Sequence, residues 1–286
     1  MRFIAFFILF LLFIKAGPNL MTLIQSIIIA IVEGITEFLP ISSTGHMIIT
    51  ERLLMLPKDD VFIKLFTIAI QLGAILSVVV LYWKKFFDFS KWQFYLKLIV
   101  AVIPALGIGF LLSDKIDELL DSPTTVAITL LAGGFVLLFI DKVFDKPAID
   151  KERNITYSKG FMIGLWQCIA MIPGVSRSAA SIIGGMQQKL TRRLSAEFSF
   201  FLAVPTMAAA TGYKLLKTFK EHPEVLKDKN NLMVLGVGNL VAFIVALLAI
   251  KFFITFLQRY GFKLFGWYRI IVGAALLVLI FAGYLK

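Results

Sequence analysis

The sequence predicts an all-α integral membrane protein, and both its composition and its hydrophobic pattern support this. The chain has 286 residues, of which 59% are hydrophobic and only 16% are charged. Soluble globular domains carry about a quarter charged residues, so this chain has too little charge to cover a water-soluble surface. A bilayer core of ~30 Å needs about 20 apolar residues per helix, and roughly six to eight such segments fit in the chain. The clearest runs are Leu65–Leu81, Ile99–Leu112, Thr124–Ile140, Leu232–Ile250 and Gly266–Leu285.

The charge balance indicates contact with lipid headgroups. Lys and Arg total 29 and Asp and Glu total 18, which gives a formal charge of +11. In a membrane protein this excess is typical of cationic loops beside anionic lipids. No basic stretch is interleaved with exposed aromatic residues, so we expect membrane lipids as partners and no nucleic acid. The single Cys168 excludes an intrachain disulfide and a cysteine-based metal cluster.

The chain is interpreted as one transmembrane domain, residues 21–286, preceded by an N-terminal extension, residues 1–20. In the extension, Arg2 precedes the apolar run Phe3–Ile14. This resembles the core of a signal peptide, but it has no clear cleavage site and is too short to span a bilayer. Met21 is an alternative start of translation, and the extension is therefore kept out of the functional interpretation.

Two halves of the domain, about 21–145 and 155–286, resemble one another weakly. Gly34-Ile35-x-Glu37 precedes a Pro-x-Ser-Ser loop, and Gly164-Leu165-x-Gln167 precedes a Pro-x-x-Ser loop. Two later segments of each half also correspond in the same order, which indicates internal duplication. If each half crosses the membrane an odd number of times, the repeats are inverted, and a site is expected at their interface beside broken helices.

Two acidic residues open the first segment that carries chemistry, E-G-I-T-E-F-L-P-I-S-S-T-G-H. Glu33 and Glu37 are four residues apart, so they share one face of a helix. Each carboxylate costs roughly 2.5–3.5 kcal/mol inside a membrane helix, and the two repel. A bound Mg²⁺ or Ca²⁺ would offset both effects, because these cations prefer oxygen ligands. The alternative is a helix end in the headgroup region, where both glutamates are hydrated.

The hydroxyl groups that follow predict a phosphate site. Pro40 should end the helix, and Ser42, Ser43 and Thr44 then supply hydroxyls beside the free amides of the next helix start, which suits a phosphate. An ordinary Ser/Thr cap is the simpler reading, and it is compatible with phosphate binding. His46 lies close to these groups, and we interpret it as catalytic rather than structural.

A second segment, P-G-V-S-R-S, supplies the complementary charge. Arg177 is flanked by apolar sequence, and an arginine at membrane depth is costly unless paired. Its planar fork suits a phosphate, while Ser176 and Ser178 can also point at an anion. The alternative is a short loop at the water interface, with Arg177 meeting lipid headgroups. Together the two segments contain the groups needed for metal-assisted phosphoryl transfer.

These two segments resemble the signature segments of the undecaprenyl-diphosphatase family, the bacitracin-resistance proteins called BacA or UppP. The resemblance covers nearly the whole chain from about Met21. It implies a multi-pass enzyme of the bacterial inner membrane that hydrolyses undecaprenyl diphosphate to the monophosphate and phosphate. It also implies dependence on a divalent cation, Mg or Ca, and an active site that faces the extracytoplasmic side. The implied architecture has about six full spans and two re-entrant helical hairpins, arranged as two inverted-topology repeats.

The resemblance also implies roles for individual residues. The matching positions are, as catalytic residues, Glu37, Ser43, His46 and Arg177; as substrate-binding residues, Ser42, Thr44, Ser176, Arg177 and Ser178; and as metal ligands, Glu33 and Glu37. Two residues are candidates for the nucleophile: either Ser43 attacks the phosphorus with His46 as its base, or His46 attacks and forms a phosphohistidine.

Two other functions fit parts of the sequence. A transporter or flippase for a polyprenyl phosphate would share inverted repeats and broken helices, although transport does not require the hydroxyl cluster opposite Arg177. A lipid phosphatase of the two-histidine type would need His222, which lies in a polar loop without an Arg-Pro partner motif. The expected substrate is an isoprenoid lipid diphosphate, and a homodimer is compatible with the sequence.

Overall fold

The computed structural model describes residues 21–57, 59–88, 90, 92–120 and 122–283, with residues 113–120 described by their backbone only. The N-terminal extension, residues 1–20, lies outside this range. Within it the chain forms helices and turns without a β-strand, which confirms the predicted all-α class. The helices are α1 (Leu23–Thr36), α2 (Ser43–Leu53), α3 (Val61–Leu81), α4 (Trp83–Phe86), α5 (Trp92–Leu120), α6 (Pro123–Val143), α7 (Tyr157–Cys168), α8 (Arg177–Gln187), α9 (Arg192–Glu221), α10 (Pro223–Lys227), α11 (Lys229–Tyr260) and α12 (Lys263–Phe281). Short 3₁₀ turns occupy Glu152–Asn154 and Ile169–Met171.

Six of the described helices, α3, α5, α6, α9, α11 and α12, are long and apolar enough to cross a membrane. Polar side chains cap the starts of α3, α6 and α11. The Asp60 side chain accepts a hydrogen bond from the Ile63 amide at the start of α3, and Asp228 caps α11 in the same way. Ser122 caps α6, whose first residue is Pro123. The predicted number of about six full spans is therefore confirmed.

The first pair of short helices, α1 and α2, forms a hairpin whose two outer ends lie together. The Gln25 Nε2 near the start of α1 donates to the Leu54 carbonyl at the end of α2 (3.3 Å). With 14 residues, α1 is about 21 Å long at 1.5 Å per residue, which is less than the ~30 Å core of a bilayer. The chain therefore enters and returns at the same end of the molecule, as predicted for a re-entrant hairpin.

The second hairpin, α7 and α8, is closed in a similar manner. Ile149, before α7, forms an isolated parallel bridge with Leu190, just after α8. The Thr191 amide donates to the Ile149 carbonyl (2.9 Å), and the Ala148 amide donates to the Lys189 carbonyl (2.8 Å). The outer ends of this hairpin therefore also lie at one end of the molecule.

The two hairpins enter from opposite ends. The base of the first packs into an apolar cluster that contains Leu54 and Phe62, at the start of α3. The base of the second packs into a cluster with Leu190, and Tyr82, just after α3, lies against that cluster. The 21 residues of α3 separate the two bases by roughly 31 Å, so the hairpin tips point toward each other within the protein.

Close helix contacts cross between the two halves. A Cβ on Gly34 of α1 would lie 2.9 Å from the Ala242 carbonyl of α11, and a Cβ on Gly164 of α7 would collide with the Ala101 carbonyl of α5. Each hairpin thus packs on a long helix of the other half. Two related halves would make such reciprocal contacts. The inverted relation between the halves stays a prediction.

Candidate active site

The tips of both hairpins are built on the same local geometry. Ser42 and Ser176 precede α2 and α8, and both have a left-handed backbone, with φ of 71° and 60°. Each side chain accepts a hydrogen bond from the amide three residues later, Gly45 N and Ala179 N (both 3.3 Å). A left-handed conformation costs a non-glycine residue about 1–2 kcal/mol, so the surrounding contacts must hold both caps in place.

Serine side chains of the second tip hydrogen-bond to the backbone of the first tip. The Ser178 hydroxyl, which is fully buried, donates to the Leu39 carbonyl (2.8 Å). Ser176 Oγ lies 3.0 Å from Ser178 Oγ and within hydrogen-bond distance of the same carbonyl. Two serines predicted to bind substrate therefore also join the hairpins.

Glu37 is the side chain at which the two motifs meet. Its Oε2 accepts a hydrogen bond from Ser43 Oγ at 2.6 Å, and its Oε1 pairs with Arg177 Nη2 at 2.8 Å. The Glu37 side chain is 4% exposed and that of Arg177 is 14% exposed, so the ion pair is largely removed from solvent. Arg177 Nη1 also donates to the Ser199 carbonyl (3.0 Å), which fixes the direction of the guanidinium. The arrangement places an acid, a hydroxyl and a cation in direct contact.

These groups face a cavity of about 180 Å³ between the tips. Gln71, which also lines the cavity, is halfway along α3, so the cavity lies near the middle of the long helices. The lining consists of Glu37, Ser42, Ser43, Thr44, Gln71, Ala170, Met171, Pro173, Gly174, Ser176, Arg177, Thr206 and Met207. Most of the predicted catalytic and substrate-binding residues are therefore brought together around one space.

His46 is turned away from this cavity. Its Nδ1 lies 2.8 Å from the Ser42 carbonyl, which can only accept, so Nδ1 carries a proton. In the neutral ring Nε2 then accepts from the Tyr268 hydroxyl at 2.7 Å, and the two rings stack at 5.6 Å between centroids. Both ring nitrogens are thus engaged, and His46 does not line the cavity that Ser43 lines.

Glu33 lies behind Glu37 and is fully buried. Neither of its carboxylate oxygens accepts a hydrogen bond from a donor group of the described residues, although the Glu37 carboxylate is close enough to share a proton with it. It interacts electrostatically with Glu37 and Arg177 but does not line the cavity. A buried carboxylate without partners calls for a cation or a proton.

A divalent cation held between Glu33 and Glu37 would reach a substrate on the side of Glu37, which lines the cavity. No group of three or more His, Cys, Asp or Glu side chains that could hold a metal ion occurs in the described part of the chain. Mg²⁺ is commonly held by one or two carboxylates, with substrate phosphates and water completing its shell. The partnerless oxygens of Glu33, together with Glu37, fit that pattern.

The sequence motifs did not contain all the residues around the site. Arg269 on α12 is fully buried and contacts both tips, and Gln71 and Thr206 line the cavity. For Arg269 the signal was present, because it interrupts the apolar run Gly266–Leu285 at a cost that only specific contacts can offset. Gln71 and Thr206 are single polar residues in apolar spans, which is too common a pattern to mark a site.

Six spans and two hairpins that enclose a buried acid, hydroxyl and guanidinium define a multi-pass membrane protein with a polar site suited to a phosphate group. The chain belongs to the bacitracin resistance protein BacA family, whose model matches residues 26–275. The family resemblance seen in the two motifs is thereby confirmed.

Individual relatives are similar over almost their whole length. The chain is 58% identical to the undecaprenyl-diphosphatase of Flavobacterium johnsoniae over 262 residues, which is 91% of this chain and 97% of the relative. It is 52% identical to the undecaprenyl-diphosphatase of Porphyromonas gingivalis over 281 residues, 92% of this chain and 98% of the relative. It is 44% identical to that of Aquifex aeolicus over 256 residues, 88% of this chain and 96% of the relative.

Proposed function

We propose that this chain hydrolyses undecaprenyl diphosphate to undecaprenyl phosphate and inorganic phosphate. This reaction recycles the lipid carrier of cell-wall synthesis and confers resistance to bacitracin. The contact of Ser43 and Arg177 with the two oxygens of Glu37, at the wall of the cavity between the tips, is the observation that carries the proposal. Membership of the BacA family supports the same substrate.

In the proposed mechanism Ser43 Oγ attacks the terminal phosphorus of the diphosphate. Glu37 accepts the hydroxyl proton, since Ser43 already donates to it, and undecaprenyl phosphate leaves. Water then attacks the phosphoserine, Glu37 returns its proton to the departing Ser43 Oγ, and inorganic phosphate is released, which regenerates both residues. Arg177 neutralises charge that develops on the phosphoryl oxygens, and the amides at the start of α2 and α8 add further donors.

Ser43 is favoured over His46 as the nucleophile for a geometric reason. A nucleophile needs a base within hydrogen-bond reach and access to the substrate. Ser43 meets both conditions, while His46 Nε2 points at Tyr268 outside the cavity lining. His46 then serves to hold the turn at Ser42 through its Nδ1 proton.

The cation that the motifs predict would be held by Glu33 and Glu37. When bound there, a divalent cation supplies positive charge that stabilises negative charge on the phosphate oxygens. The two partnerless oxygens of Glu33 support this assignment. Thr44, Ser42 and Ser176 provide hydroxyls that orient the substrate at the cavity wall.

The proposed location is the bacterial inner membrane, with the cavity reached from the extracytoplasmic side. The six spans and the family support a membrane location, and the family resemblance of the motifs supports the direction of access. In a Cys168→Ser background, an impermeant thiol reagent added to intact cells should modify Thr44→Cys. Modification only in inverted vesicles would contradict the orientation.

The proposed reaction is tested with purified protein in detergent and undecaprenyl diphosphate. We expect phosphate release that requires magnesium or calcium and stops in chelator. Arg177→Ala should abolish release while the protein still folds, because it removes the guanidinium that neutralises charge on the phosphoryl oxygens. Full activity of Arg177→Ala, or no release by the wild type, would contradict the proposal.

A flippase for a polyprenyl phosphate is the second candidate. Two hairpins that meet from opposite ends at the middle of the spans resemble the broken helices of transporters. Proteoliposomes separate the two functions, because a flippase moves lipid phosphate between leaflets without releasing phosphate. The Ser43–Glu37 contact favours hydrolysis, since transport does not require a hydroxyl bound to a carboxylate.

A further inference from the structure

Arg269 lies at the contact between the two hairpin tips, although neither motif contains it. Its Nη1 donates to the Pro40 carbonyl in the first tip (3.2 Å), and its Nη2 donates to the Gly174 carbonyl in the second (2.9 Å). Nη2 also donates to the Thr129 carbonyl on α6 (3.1 Å), and Nε makes a longer contact with the Leu130 carbonyl (3.4 Å). One side chain of α12 therefore connects both tips to a third element.

Within the part of the chain that the structure describes, backbone carbonyls are the groups that offset the charge of this arginine. Arg269 is 1% exposed, and its hydrogen bonds to the described residues all go to backbone carbonyls. A buried charge is costly unless it is well paired, so such a group is explained only by contacts that a neutral residue cannot make. Arginine has five donors in a fixed planar fork and can bind several carbonyls at once, whereas lysine is a point donor on a flexible stem.

The surroundings are shaped to admit the guanidinium. A Cβ on Gly133 of α6 would collide with Arg269 Nη2. Gly174 has a φ of 86°, and a Cβ there would collide with Thr129 Oγ1. The same Thr129 hydroxyl donates to the Pro173 carbonyl at 2.5 Å, so α6 holds the second tip beside the arginine.

We propose that Arg269 is a positioning residue of the active site. By binding the Pro40 and Gly174 carbonyls, it fixes the two tips in the register in which the side chains of the two motifs meet across the cavity. Its expected effect on turnover rests on the proposed function, whereas its effect on the tips does not.

The test compares three variants with a matched control. Arg269→Gln removes the charge and most donors, Arg269→Lys keeps the charge but not the fork, and Gly133→Ala keeps the arginine but displaces it. Gly236→Ala is the control, because a Cβ at this glycine of α11 meets no atom within 4 Å. For each protein, kcat and KM are measured with undecaprenyl diphosphate, and amide hydrogen exchange is measured along the chain.

We expect faster exchange in both tips, residues 37–44 and 169–178, with unchanged exchange in the long helices. A displacement of ~1 Å in an active site can cost about 10²-fold in rate, so kcat should fall by about that factor in all three variants, with a smaller change in KM. Arg269→Lys should be no better than Arg269→Gln. The control should match the wild type in both measurements.

Other results would overturn the proposal. Restoration of kcat by lysine with unchanged exchange in the tips would assign Arg269 a role through its charge instead. Wild-type kcat in all variants would remove any role. If both Arg269 variants fail to fold, the Gly133→Ala variant decides. Faster amide hydrogen exchange confined to the two tips supports the positioning role. Unchanged exchange, or faster exchange along the whole chain, contradicts it. If the wild type itself releases no phosphate, the proposed function is wrong. The amide hydrogen exchange of the two tips still tests whether Arg269 positions them.

Discussion

Ser43 and His46 lie three residues apart in α2, yet their side chains have different partners. Ser43 contacts Glu37 and the cavity, while His46 is held between the Ser42 carbonyl and the Tyr268 hydroxyl. The sequence placed both residues near a phosphate site but left open which one attacks. It could not decide, because the choice depends on Tyr268, which lies 222 residues further along the chain.

Substitution at these two positions should separate their roles. Ser43→Ala should lower kcat at least as much as loss of a general base does, about 10²–10⁴-fold, whereas His46→Ala should cost less. Ser77→Ala is the control, since Ser77 is a buried serine of α3 whose hydroxyl donates to the Ala74 carbonyl of the same helix. Rapid quenching of the reaction with labelled diphosphate should trap an acid-stable phosphoserine. An acid-labile phosphoenzyme that survives in Ser43→Ala would point to His46 instead.

Glu33 is expected to set the magnesium concentration that the enzyme needs for activity. Glu33→Gln removes the charge but keeps the shape, so it should raise the concentration of magnesium needed for half-maximal activity by at least about tenfold, the lower range for weakened metal sites. Titration of phosphate release with magnesium measures this. Glu51→Gln, on the outer half of α2, should leave the titration unchanged. Unchanged magnesium dependence in Glu33→Gln would remove Glu33 from the cation site.

At the scale of helices, the sequence predicted the breaks well and the contacts poorly. Pro40 and Pro173 marked the two tips, and the hydroxyls that follow mark the starts of α2 and α8. Such signals are local, because they depend on backbone geometry within a few residues. The hydrogen bond from Ser178 Oγ to the Leu39 carbonyl joins residues 139 positions apart, and no local sequence pattern predicts it.

Packing between α7 and α5 depends on the absence of a side chain at Gly164. Gly164→Ala should destabilise the protein by about 1–3 kcal/mol, as overpacking does, because the new Cβ would collide with the Ala101 carbonyl. In an open position alanine is the better helix former, so Gly236→Ala should be neutral or slightly stabilising. Thermal unfolding in detergent compares the two. Equal melting temperatures would show that α5 and α7 can move apart at no cost.

For the whole molecule, composition alone was sufficient to predict a membrane protein, and the six spans confirm it. The contacts of Gly34 and Gly164 with long helices of the other half fit two related halves, and the inverted relation between the halves stays a prediction. Arg269 shows what the sequence can supply only in part. Its place in an apolar span marks it as a buried charge, but its partners come from α6 and both tips, so its role is visible only when the entire chain is folded.

The topology can be tested with single cysteines in a Cys168→Ser background. Asp59→Cys, at the base of the first hairpin, and Asp150→Cys, at the base of the second, should react with an impermeant reagent from opposite sides of the membrane, because α3 separates the two bases. Lys227→Cys, at the end of α10 just before α11, should react from the same side as Asp59→Cys. Labelling of both hairpin bases from one side would contradict the fold.

The central depth of the cavity has a consequence for the lipid. Gln71 lies halfway along α3, so a diphosphate that reaches it must descend from the headgroup layer by about half of the ~30 Å hydrocarbon thickness. Hydration must therefore extend inward to that level, and the surrounding bilayer sets the length of the descent. Reconstitution into lipids with longer acyl chains should slow substrate entry, which would make membrane thickness a determinant of how fast the carrier is renewed.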